Sequence, residues 1–161
     1  MDANNWEERL AGLWADIDEY GEGDFVTTME ALVGERPPGD PVGLFELAGS
    51  YDSTGRTDLA VPLYREALAA GLDGSRRRQA VIQLASSLRN LGHAEESVAL
   101  LEAEKASGSD DLDDAVAAFL ALALADVGRD KDALSLALGA LAPHLPRYQR
   151  SVANYARLLT S

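Results

Sequence analysis

The chain has 161 residues, 47% of them hydrophobic and only 6% aromatic, with no cysteine and a net charge of −13. Such a length holds one domain or a short array of repeated units, and the missing cysteine excludes disulfides, thiolate metal sites and cysteine nucleophiles. The acidic balance argues against nucleic acid, whose phosphates need a basic face.

The apolar content is mostly alanine and leucine, strong helix formers, which predicts an all-α protein. The chain opens polar and acidic, "MDANNWEERL". No apolar run approaches the roughly 20 residues that span a bilayer, so a cytoplasmic protein with no membrane partner is expected. "NNWEERLAGLWADIDEY" then sets Trp6, Leu10, Leu13, Trp14 and Ile17 at helical spacing. The following stretch restarts after Gly23 and stops at Pro37 and Pro38. Gly23 lies 32 residues before Gly55, so residues 1–40 read as a degenerate helix pair.

Three stretches share one frame: "LFELAGSYDSTGRTDLAVPLYREALAAG", "VIQLASSLRNLGHAEESVALLEAEKASG" and "AAFLALALADVGRDKDALSLALGALAPH". The glycines Gly55, Gly92 and Gly128 recur at spacings of 37 and 36 residues. Each is suited to a left-handed conformation that ends one helix, and the polar pair after it suits the start of a second. Small residues at Ala48, Ala60, Ala85, Ser97, Ala121 and Ala133 let the two helices approach closely. Larger ones at Tyr51, Tyr64, Leu88 and Leu101 fill the space to the next pair. Each unit leaves an apolar face that a stacked neighbour covers. Pro62 interrupts the second segment of the first stretch, and the frame places it on the solvent side, where the bond it forfeits is one to Asp58.

This pattern resembles the tetratricopeptide repeat, a helix-turn-helix unit. The resemblance implies a right-handed α-solenoid of antiparallel helix pairs. Three repeats fall at about 41–74, 78–111 and 114–145, within residues 41–145. Residues 146–161, "LPRYQRSVANYARLLTS" from Leu145, read as a C-terminal capping helix with Pro146 at its start. On that helix Tyr148, Val152, Tyr155, Leu158 and Leu159 lie along one face. With this ending the whole chain is similar to a family of small bacterial tetratricopeptide proteins, the group-five tetratricopeptide domain. That likeness implies a protein-interaction module and admits a homodimer.

By resemblance, a concave groove is lined by the first helix of each pair. The residues there with side chains suited to binding a partner are Phe45, Asp52, Gln79, Ile82, Ser86, Arg89, Asn90, Leu122 and Asp126. The Lys and Asn clamp with which co-chaperone members hold a carboxylate is replaced by Phe45, Gly49, Ala115 and Phe119. The groove therefore suits an extended or helical peptide, unless the chain's own terminal helices fill it.

Charge is unevenly spread. Residues 1–75 carry a net −12, residues 76–132 a net −4 and residues 133–161 a net +3. The asymmetry suits a homodimer formed through an acidic N-terminal and a basic C-terminal part, or is simply a solvated surface. Arg76, Arg77 and Arg78 crowd the first turn of a helix, where the macrodipole disfavours cations. They suit either a small anionic ligand or acidic partner, or pairing with the protein's own acids. His93 and His144 have no catalytic or metal-binding spacing, and Asp110, Asp111, Asp113 and Asp114 lack the glycine and glutamate of a calcium loop. No metal, cofactor or catalytic residue is expected, and noncatalytic binding of a protein or peptide is the expected function.

Overall fold

A computed structural model describes residues 3–161, with side chains from residue 5 onward. Among the described residues there are nine α-helices and no strand. They are α1 (Ala3–Ala15), α2 (Glu22–Val33), α3 (Pro41–Ser53), α4 (Thr57–Ala69), α5 (Gly74–Asn90), α6 (Ala94–Ser107), α7 (Asp113–Asp126), α8 (Asp130–Leu141) and α9 (Gln149–Leu158). The chain divides into two compact units, Met1–Arg77 and Arg78–Ser161, with the division inside α5.

One turn is made three times. Gly55, Gly92 and Gly128 have φ of +75°, +86° and +77°. Their N–H groups donate to Asp52, Arg89 and Ala125 at 3.0–3.1 Å. The residues after them, Arg56, His93 and Arg129, donate to the carbonyls of Tyr51, Leu88 and Leu124 at 2.8–2.9 Å. This is the Schellman closure, which satisfies carbonyls that the helix end leaves unpaired. The polar residues that follow do not cap the next helix through their side chains.

In the first unit Trp6, Leu10 and Leu13 of α1 pack with Phe25, Met29 and Leu32 of α2. The Trp6 indole donates to the Leu32 carbonyl at 2.9 Å, and the Arg36 guanidinium lies 4.5 Å from its ring. Gly23 is not the turn expected from the sequence. α1 gives way to a 3-10 turn at Ile17–Glu19 and α2 starts at Glu22, so Gly23 lies inside a helix. A glycine marks a turn only where the backbone needs positive φ, and here it has none. Asp40 caps α3 by accepting the Gly43 N–H at 2.8 Å, with Pro41 in the first helical position. Ala48 and Ala60 are fully buried, which lets α3 and α4 approach closely. Pro62 sits exposed inside α4 and the helix continues past it to Ala69, at a cost of up to roughly 3 kcal/mol.

In the second unit Ile82 and Ala85 of α5 pack with Val98, Leu101, Val116, Leu120, Leu124 and Ala133 of the next three helices. The final helix differs from its sequence reading. It begins at Gln149, not at Pro146, and Tyr148 precedes it in the left-handed conformation with φ of +70°. Its expected single apolar face is divided. Ala156 is buried and Val152 and Leu159 are half-buried, whereas Tyr148, Tyr155 and Leu158 are exposed. At 3.6 residues per turn Val152, Ala156 and Leu159 fall within about 60° of one another, whereas Tyr155 and Leu158 lie to one side of that buried sector.

Candidate partner-binding surfaces

In the first unit α3 presents Glu46 and Gly49 toward α1. The Trp14 ring occupies the space beside Gly49, where an added Cβ would lie 3.3 Å from it. Its Nε1–H donates to Glu46 Oε2 at 2.8 Å. Arg76 Nε donates to Glu46 Oε1 at 3.0 Å, and its Nη2 pairs with Glu7 at 2.6 Å. Burial pushes the Glu46 carboxyl above its ordinary pKa, while Trp14 and Arg76 pull it back. This face of α3 is thus filled by the chain's own N-terminal helix.

Two of the expected groove residues are core residues. Phe45 is buried with its ring 6.2 Å from that of Tyr64. Ile82 is buried among the residues of α6 and α7. Both are large apolar side chains at positions where helix packing, not solvent, provides the neighbours. Asp52 is half-buried near the end of α3.

The arginine run is split. Arg76 serves the first unit, as above. Arg78 is buried in the second, with Nη1 at 2.8 Å from Asp110, Nη2 at 2.8 Å from Asp113 and Nε at 3.7 Å from Glu104. Arg77 lies exposed between them. Residues two apart on a helix are about 200° apart, so the three do not converge on one anion. Of the four aspartates, Asp113 and Asp114 occupy the first turn of α7, where the helix dipole favours acids, and Asp110 and Asp111 precede it. Asp113 also accepts the Asp110 N–H at 3.1 Å, and Asp114 lies 2.8 Å from His144 Nε2. Among the described residues no group of acids and histidines is arranged to hold a metal ion.

The remaining predicted residues lie on α5 and α7 of the second unit, and one pair of them is in contact. Arg89 Nε lies 2.6 Å from Asp126 Oδ2. Gln79 and Ser86 are half-buried, and Asn90 is exposed. Leu122 is 47% exposed, and Ala118 and Ala125 beside it on α7 are exposed too. The result is an open strip of small apolar side chains bordered by one ion pair, able to receive an apolar residue and to orient a polar one. A cavity of about 410 Å³ elsewhere in this unit, lined by Leu120, Leu124 and Leu136, has a rim of mutually paired charges, Arg129 with Glu102 and Asp132.

The sequence reading missed Trp14 and Glu46. A signal was present: the first repeat has glycine where the second and third have Ser86 and Leu122, and a missing side chain leaves room for another.

Helix pairs joined by a repeated turn define a helical-repeat protein. A family model described as the tetratrico peptide repeat matches residues 41–159, and the chain belongs to that family. The family is one of protein–protein interaction modules, typically noncatalytic scaffolds that bind protein partners. No curated protein and no solved structure matches the chain. Among the described residues no helix is long and apolar enough to cross a membrane.

Proposed function

We propose that the protein is a noncatalytic cytoplasmic adaptor that binds a peptide or partner protein on the α5–α7 face of its second unit. Gln79, Ser86, Arg89 and Asn90 on α5, with Leu122 and Asp126 on α7, are the contact residues. The observation that carries this reading is the exposure of Leu122, Ala118 and Ala125 beside the Arg89–Asp126 pair. The corresponding face of α3 is already occupied by Trp14. Partner side chains would fill the apolar strip, and the ion pair would open to hold a backbone or carboxylate group. The sensor reading, with a small anion at Arg76 to Arg78, is disfavoured because Arg76 and Arg78 are held by acids of their own units.

The test is capture of partners from native cytoplasm by the wild type, Leu122→Asp, Arg89→Ala and the control Leu59→Ser, which changes an exposed leucine of the first unit. A specific partner retained by the control and lost by Leu122→Asp is the expected result. Equal capture by all four proteins would reject the α5–α7 face.

A further inference from the structure

Among the described residues the most exposed large apolar side chains lie on α9 and at its start. Tyr148, Tyr155 and Leu158 are 75%, 67% and 66% exposed. Spacings of seven and three residues place them along one side of α9 and its start. Tyr148 also holds a left-handed backbone, which glycine or asparagine takes at lower cost than an aromatic residue. An aromatic side chain kept in a strained conformation and left in water points to a use outside the monomer.

Charge selects the occupant. Arg147 precedes α9, Arg150 and Arg157 flank this face on one side, and residues 133–161 contain no acid, for a net +3. Two copies of α9 would therefore repel each other. The complementary surface on the same chain is the first unit, where residues 1–77 carry a net −10. There α1 and α2 form a pocket of about 340 Å³ with Gly12, Leu13, Tyr20 and Leu32 in its wall, and of its three charged residues Arg9 and Glu35 pair with each other, which leaves Asp16 as the acid open to an incoming cation. That volume is within the range that encloses a small organic group such as a tyrosine side chain.

We propose that the exposed face of α9 docks on a second copy of this chain, head to tail, with Tyr155 and Leu158 entering the α1–α2 pocket in the acidic first unit of the other copy. The arginines meet the acidic surface around that pocket, and the aromatic and aliphatic side chains supply the buried anchor. The contact joins two different surfaces, so it is heterologous, and a pair keeps one free donor on one copy and one free acceptor on the other unless the assembly closes into a ring. It uses neither α5 nor α7 and stands apart from the adaptor reading.

Sedimentation of the full chain over a broad concentration range, at low and high salt, tests this with two variants. Tyr155→Ser with Leu158→Ser removes the donor anchor from exposed positions. Gly12→Arg blocks the acceptor, and it preserves the fold because a Cβ at Gly12 meets nothing within 4 Å and a helix interior favours a side chain over glycine. Circular dichroism melting checks that both variants fold. The wild type should self-associate, less so at high salt. Each variant alone should associate about 30-fold more weakly, the loss expected on removing one buried anchor. Mixed together, the two variants should regain wild-type affinity but stop at a one-to-one pair, since each supplies the surface the other lacks. A wild type that stays monomeric, a Gly12→Arg variant that associates like wild type, or a mixture that stays monomeric would each overturn the proposal.

Discussion

The two units treat the same repeat frame differently. In the first, the face of α3 around Gly49 is closed by the chain's own α1, with Trp14 seated on Gly49 and bonded to Glu46. In the second, the strip of Ala118, Leu122 and Ala125 on α7 is open. Each unit also spends one arginine of the same run on holding itself together. Arg76 joins Glu7 and Glu46, whereas Arg78 joins Asp110, Asp113 and Glu104. A shared repeat thus sets the helices, and single residues such as Gly49 and Leu122 decide which helix face is covered and which is left exposed.

The comparison can be broken most strongly at Arg78. Its side chain is 7% exposed and Glu104 beside it is 4% exposed, so Arg78→Ala leaves acid groups without their main cation and should cost about 3 kcal/mol or more. Urea unfolding measures the loss, and amide exchange should place it in α6 and α7. A loss no larger than an exposed arginine would give is the contrary result. Trp14→Ala should cost about 2 kcal/mol, less than a fully buried tryptophan because Trp14 is only half-buried. The same variant should expose Glu46 and Gly49, which makes the first unit resemble the second.

The smallest effect is in the pH dependence. The folded Glu46 carboxyl has its pKa raised above the ordinary 4.5, first by burial. Its stabilising contribution is therefore complete below the unfolded pKa and is lost as pH rises through the folded one. Glu46→Gln should remove that decline in a series of unfolding curves on the weakly acidic side. Asp40 acts in the opposite sense. Its hydrogen bond to Arg36 lowers its pKa, so its contribution is present above the unfolded value and lost as pH falls through the folded one. Asp40→Asn should flatten the acid limb instead. Parallel profiles for wild type and Glu46→Gln would show that burial of Glu46 has no net effect on its proton.

Much of the fold could be read from residues whose effect is local. Gly55, Gly92 and Gly128 have the positive φ their spacing predicts, because a helix that ends abruptly needs such a residue. Ala48, Ala60, Ala85 and Ser97 are fully buried as close-approach positions. Gly23 misled because a glycine is compatible with a helix as well as with a turn, and the chain ended α1 earlier through a 3-10 turn. Phe45 and Ile82 misled because a repeat register says which helix face a residue is on, yet a large apolar side chain at the edge of that face turns into the core.

The amino-acid sequence by itself determined an all-α chain of helix pairs, the three turns and the membership of a repeat family, since helix propensity, turn glycines and small residues act over a few positions. Tertiary structure alone decided that Trp14 covers α3, that Arg76 and Arg78 part company, and that Tyr155 and Leu158 face water. Those outcomes depend on which side chains meet across tens of residues, where the hydrophobic effect is non-directional and only packed geometry fixes the partner.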